Sequence, residues 1–284
     1  MSIAILAKDG RQHGLGTLIY GIITFVINKR FMMSEQVLSS YLSKPVVLQQ
    51  ISYDNQLCWL KKAKPAHPAY LYALLNFCAR VLGAPLLRAV PKKGGSFAIQ
   101  QEVTRLKALK NQGVNVPSII KSHSDYLVMS HLGDNFQQAL ESSRGKVRLG
   151  LFKKALDALK SIHDSNAYLS QAFCRNMVID AHDKLGFIDF EDDPLDSLTL
   201  DQAKARDIVL FLLSTVYLFR DQRDDLITIL KQVFLHTDDV ITAAIFKTVK
   251  SLAVLRYIPS WRCLGREFPR LKFTLSILSQ CLVS

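Results

Sequence analysis

The sequence predicts an α+β protein in two unequal lobes, a small mixed one followed by a larger helical one. Three observations carry this. Up to residue 131, strand-like runs with period-two alternation are interleaved with segments of helical period. From residue 132 onward helical periodicity dominates, interrupted by one hairpin-like stretch that closes on Asp189. Hydrophobic residues make up 49% of the chain and charged residues 21%, enough apolar side chains for a packed core. The expected boundaries are an N-terminal extension at 1–32 and a domain at 33–284, its small lobe at about 40–131 and its large lobe at about 132–284.

Residues 15–28 (LGTLIYGIITFVIN) are an apolar run followed by Lys29 and Arg30. A spanning helix needs about twenty apolar residues, so the run is too short to cross a bilayer. No small-residue cleavage site of the signal-peptide kind precedes Lys29-Arg30. Three readings stay open: an interfacial anchor, a segment packed on the domain, or an upstream extension with Met33 as the native start.

The runs 46–51 and 56–61 read as two strands joined by a Tyr53-Asp54-Asn55 turn. In the second, Leu57, Trp59 and Lys61 share one face, and Cys58, Leu60 and Lys62 the other. A lysine closing such a strand is either a solvated strand end or a phosphate ligand, and Lys61 and Lys62 compete for the second role. Residues 70–82 (YLYALLNFCARVL) are apolar almost all round, which marks a helix that is buried or lies at an interface. Gly83 and Pro85 end it. With basic residues at 61–64 and 88–93, it reads either as packed on the small lobe or as facing a membrane surface.

The segment 97–109 places Ile99, Val103, Leu106 and Leu109 on one helical stripe, with Glu102 beside it. Glu102 could reach a strand lysine or stay exposed near Arg105. Asn111-Gln112-Gly113 is a helix C-cap signature. Strands are expected at 118–123 and 126–130, and a lobe-connecting link at 129–133. The helix at 147–162 closes on Ile162-His163. A hairpin follows Asn176, with its turn at 183–186 and its second strand running into Asp189. Further helices are expected at 200–220, 224–235, 238–253 and 270–282.

The formal net charge of +12 points to an anionic partner: a phosphorylated ligand, an acidic membrane surface or nucleic acid. The basic residues are scattered (Lys61-Lys62, Lys92-Lys93, Lys153-Lys154), which favours a solvated basic face and argues against a nucleic-acid arm. The five cysteines are odd in number and form no CxxC pair, as expected for reduced thiols in a cytoplasmic protein. The seven histidines show neither HExxH nor zinc-finger spacing, and neither GxSxG nor GxxxxGK[ST] occurs.

An amide oxygen and a carboxylate spaced across a hairpin, as Asn176 and Asp189 are, can together hold Mg²⁺ against a nucleotide's phosphates. Lys61, Glu102, the Gly113–Pro117 join, His163, Asn176, Asp189-Phe190 and Arg206-Asp207 together resemble the protein-kinase-like superfamily. The nearest resemblance is to its bacterial lipopolysaccharide core kinases. The resemblance implies ATP and Mg²⁺ as cofactors. Lys61 would contact the α- and β-phosphates, Glu102 would hold Lys61, and Asn176 with Asp189 would hold the metal. The backbone near Met129 and His131 would face an adenine, His163 would be structural, and Asp207 would brace the loop before Asn176. The implied acceptor is a sugar hydroxyl of a lipid-linked saccharide at the inner membrane face. The protein would then be cytoplasmic, peripheral on that membrane.

Two positions depart from the pattern. Glu191 stands where typical kinases have glycine after Asp-Phe. Gln171 stands five residues before Asn176, the place of the catalytic aspartate, and cannot take up a proton near neutral pH. Asp164 is the nearest substitute, and it would have to swing in from a helix end. A nucleotide-binding pseudokinase is therefore a second reading. A third is a protein with no nucleotide site that binds a membrane surface or nucleic acid.

Overall fold

The computed structural model describes residues 35–66, 68–90, 94–257 and 267–281. The extension at 1–32, with its apolar run and the start at Met33, lies outside the described residues. The architecture is α+β. Among the described residues, no helix is long and apolar enough to cross a membrane.

Four strands, β1 (Leu48–Tyr53), β2 (Gln56–Lys62), β3 (Ile119–Ser122) and β4 (Tyr126–Ser130), form an antiparallel sheet in the order β1-β2-β4-β3. The β1–β2 turn is Asp54-Asn55, with φ of 53° and 61°. A two-residue hairpin turn needs this left-handed conformation at both positions, and Asp and Asn tolerate it. Expected as part of the turn, Tyr53 instead pairs with Gln56 and extends the strand. Its ring is buried and its hydroxyl donates to Glu35 Oε1 at 3.1 Å, which keeps the backbone extended past Ser52.

The alternation on β2 decides what each face does. Cys58 and Leu60 join Ile51, Tyr53, Val128 and Leu38 in a small cluster beneath α1 (35–42). Trp59 packs on the main core, which leaves Lys61 on the inner face. Lys62 is turned outward, its ammonium donating to the carbonyls of Leu42 and Lys44.

The helix α2 (Ala69–Val81) is followed by a 3₁₀ turn, Pro85–Leu87. In α3 (Gly95–Asn111), Ile99, Leu106 and Leu109 are buried, and so is Glu102. Gly94 precedes α3 with φ 68°, and a Cβ there would lie 2.2 Å from the Ala66 nitrogen. Only glycine lets the start of α3 pass this close to the strand exit.

After β4 the chain pairs briefly as β5 (Asp134–Asn135) with the hairpin β6 (Met177–Ile179) and β7 (Leu185–Phe187). Leu185 and Gly186, expected in the turn, lie in β7. The turn is 180–184, held by the Asp180 carboxylate, which accepts from the His182 and Lys184 nitrogens at 2.9 and 2.8 Å. Asn135 caps α4 (Phe136–Ser142), a helix the sequence did not announce. Below it lie α5 (Gly145–Asp164) and α6 (Leu200–Thr215), the latter opened by a Thr199/Gln202 capping box. α6 stops at Thr215 and continues as a 3₁₀ turn, Val216–Phe219, where one helix to residue 220 was expected. The Thr215 hydroxyl donates back to Phe211 O at 2.7 Å, a bond that competes with helix continuation. Phe152 stacks on Phe211 and meets Phe219 at a tilt in the core, and α7 (Arg223–Leu235), α8 (Asp239–Leu252) and α9 (Glu267–Cys281) close it.

Candidate functional site

A cavity of about 510 Å³ lies between the inner face of β2, the start of α3, the 129–133 link and the β6–β7 hairpin. Trp59, Lys61, Glu102, Met129, Asn176 and Asp189 are on its wall, with Glu191. Its volume falls within the range typical of small-molecule pockets. Gly133 seats the link on the hairpin: a Cβ there would lie 2.4 Å from the Ile179 carbonyl oxygen.

At the back of the cavity one ammonium meets three carboxylates. Lys61 Nζ lies 2.7 Å from Glu102, 3.0 Å from Asp189 and 2.8 Å from Glu191. All three carboxylates surround it at ion-pair distance, and the Asp189 contact is also a hydrogen bond. Burial disfavours the Lys61 charge, yet the three carboxylates outweigh burial and hold the ammonium far above the usual lysine range. Burial pushes the Glu102 carboxyl up, and Lys61 opposes it. The three partners differ in depth: the side chains of Glu102, Glu191 and Asp189 are 1%, 15% and 34% exposed. The two outer carboxylates are therefore the ones an incoming anion can displace, while Glu102 keeps the lysine in place.

Asn176 and Asp189 are brought together by the hairpin. The Ile188 nitrogen donates to the Asn176 carbonyl at 3.0 Å, so Asp189 follows directly on a residue paired with Asn176. Asp189 has φ 72°, a left-handed conformation that turns its carboxylate back toward Lys61. The Asn176 amide nitrogen donates to Gln171 O at 3.0 Å, which fixes the amide and leaves its oxygen as the acceptor end. Among the described residues, no group of three or more His, Cys, Asp or Glu side chains is arranged to hold a metal ion. Mg²⁺ does not require one: it takes one or two protein oxygens and completes its shell with phosphates and water. The oxygens of Asn176 and Asp189 are the hard donors that cation takes.

The loop 167–175 is strapped from below. Asp207, fully buried on α6, accepts from the Leu169 nitrogen at 2.6 Å and lies 3.4 Å from His163 Nε2. Arg206 donates to Ser170 O at 3.3 Å and reaches Arg88 O at 2.8 Å, tying the loop to the segment after Pro85–Leu87. From α3, Arg105 donates to Tyr168 O at 2.7 Å and covers the Tyr168 ring. Gln171 Nε2 donates to Asp192 Oδ1 at 2.7 Å.

Three expected site residues are elsewhere: Asp164, His131 and Gln171, which lies in the 167–175 loop off the cavity wall. Asp164 is exposed, paired with Lys160 one turn back at 2.7 Å, and lines a separate cavity under α5, α6 and α7. A surface pair on a helix end gives it no reason to swing toward Asn176. His131 is absent from the cavity wall: its nitrogen donates to Leu57 O at 3.1 Å and its ring accepts from Trp59 Nε1. Met129 remains on the wall, with Leu132 and Gly133 in place of His131. Glu102 is buried on Lys61, where the sequence also allowed an exposed side chain. Three contributors were missed. Glu191 was noted only for not being glycine, yet a carboxylate two residues from Asp189 is within reach of the same lysine. Arg206 and Asp192 carried no signal beyond lying beside Asp207 and in an acidic turn.

Compared with models of known protein families and with curated proteins, the chain matches none.

Proposed function

We propose that this protein binds ATP with Mg²⁺ in the cavity and transfers the terminal phosphoryl group to a hydroxyl, in a two-lobed fold of the protein-kinase-like type. The observation that carries the reading is the Lys61 cluster: a strand lysine held by a buried helix glutamate and by an aspartate at the end of a hairpin. In this reading the 129–133 link joins the lobes, and Met129 lies beside the base. Lys61 exchanges its outer carboxylates for phosphate oxygens while Glu102 keeps it aimed. Asn176 and Asp189 hold Mg²⁺, which supplies charge neutralisation on the phosphates. The acceptor, by the same resemblance, is a sugar hydroxyl of a lipid-linked saccharide of the lipopolysaccharide-core type.

Gln171 shapes the chemistry. It lies off the cavity wall with its amide nitrogen spent on Asp192, so its oxygen is the end left to an acceptor hydroxyl that approaches over the 167–175 loop. It orients that hydroxyl without taking its proton, which passes to an oxygen of the transferred phosphoryl group as ADP leaves. Phosphoryl transfer draws mostly on positioning and charge stabilisation, so such a site turns over slowly.

A second reading is favoured by the same residue: a nucleotide-binding protein without turnover. Incubation with γ-labelled ATP, Mg²⁺ and lipopolysaccharide-core saccharide separates the two. Label on the saccharide, lost in Lys61→Met, supports the kinase. ATP binding with no label transferred and no phosphate released supports the second reading, and no ATP binding at all refutes both.

A further inference from the structure

We propose that α2 is a docking face for an anionic lipid bilayer. This does not depend on the nucleotide reading. At 100° per residue, Tyr70, Leu74, Phe77 and Val81 fall within about 60° of arc and extend over roughly 16 Å of helix. All four are exposed, at 69%, 58%, 62% and 68%. Ala79 lies on the opposite side of the helix and is buried. Asn76, also away from the stripe, is fixed by the Ala89 nitrogen, which donates to its Oδ1 at 2.8 Å. The helix is thus seated on the protein by one side and presents two aromatic and two aliphatic side chains outward from the other. The sequence offered packing or membrane contact as alternatives, and α2 has a face for each.

Charge says what covers the outer face. Between Asp54 and Glu102 the chain has no acidic residue and seven basic ones: Lys61, Lys62, Lys64, Arg80, Arg88, Lys92 and Lys93. Of these, Lys64 and Arg80 are exposed beside or on α2. An apolar stripe flanked by Lys and Arg and free of carboxylates is the pattern that settles in the interface of an anionic membrane. A second copy of the chain would set basic rim against basic rim. Nucleic acid would gain little from a stripe whose one donor is the Tyr70 hydroxyl, with its cations only at the rim.

The test is flotation of the full-length protein with vesicles of phosphatidylcholine mixed with phosphatidylglycerol, and with pure phosphatidylcholine vesicles. The expected result is binding to the anionic vesicles, weaker on pure phosphatidylcholine and at high salt. Leu74→Asp with Phe77→Asp lowers binding by about tenfold or more, since it replaces two inserting side chains with charges that anionic lipid repels. Arg80→Glu lowers it by roughly fivefold or more. Thermal melting checks that the variants stay folded, and Leu74→Ser with Phe77→Ser replaces the first pair if it does not. The proposal is overturned if the wild type ignores anionic vesicles or if the folded variants bind as it does. It is equally overturned if sedimentation shows a dimer that Phe77→Asp separates.

Discussion

Lys61→Met removes the ammonium at the centre of three carboxylates and keeps most of the side-chain volume. Glu102 is 1% exposed and cannot turn to water, whereas Asp189 and Glu191 can rotate outward. The cost therefore concentrates on Glu102. Breaking a buried pair by deleting one partner costs about 3–5 kcal/mol, which lowers Tm by roughly 10 °C for a domain of this size. The loss depends on pH with a definite sign. Burial raises the Glu102 carboxyl, and in the variant no ammonium opposes it. A carboxyl raised in the folded state contributes stability that is full below its unfolded value, about 4.3, and is lost as pH rises through the folded value. The deficit against wild type therefore grows from pH 5 to pH 8. In the wild type Lys61 is itself raised, so its contribution is full below about 10.4 and fades only above that. Adding Glu102→Leu to Lys61→Met should recover much of the loss, since an apolar pair leaves no buried charge unpaired. Calorimetric melts across that pH range provide the measurement. A variant with the wild-type Tm and the wild-type pH profile would refute the energetic account of the cluster.

Other outcomes follow from the same geometry. Asp207→Ala leaves the Leu169 nitrogen without its acceptor, at a cost of about 1–3 kcal/mol. The lower part of that range is expected because Asp207 Oδ1 already lacks a hydrogen-bond partner. Urea unfolding should show a lower midpoint with an unchanged slope, and an unchanged midpoint contradicts the bracing role. Burial pushes the Cys174 thiol up to about 12 and the Cys281 thiol up to about 11, and raises Cys58 as well. Alkylation of the native protein at pH 8, read by peptide mass, should spare these three and modify them only after unfolding. Rapid native labelling of Cys174 would show that α6 and the 167–175 loop do not cover it.

Much of this was legible in the sequence because it depends on local periodicity. The alternation on β2 put Lys61 on one face with Trp59 and Lys62 on the other with Cys58 and Leu60, and the structure then showed which face turns inward. The spacing from Asn176 to Asp189 gave the hairpin, and the stripe on α3 put Glu102 beside the core. What failed depends on tertiary partners that periodicity does not carry. The Asp54-Asn55 turn was drawn one residue too long because nothing local shows Tyr53 reaching Glu35. The link residue His131 is off the cavity wall because its ring and nitrogen are taken by Trp59 and Leu57, which lie far off in sequence. Asp164 looked available only because Lys160, one turn earlier, was not weighed as its partner. Glu191 was read against a family pattern and not by its reach to Lys61. Helix α4 was missed because a seven-residue helix carries too little pattern.

In the proposed function the Lys61 cavity takes a magnesium-bound nucleotide. The most direct measurement of this is titration calorimetry of ATP into the wild type and into Asp189→Ala, each with and without Mg²⁺. The account predicts saturable binding to the wild type that strengthens with Mg²⁺, and a variant that stays folded but loses the magnesium-dependent part. Equal binding by both proteins in Mg²⁺, or no binding by either, would contradict it.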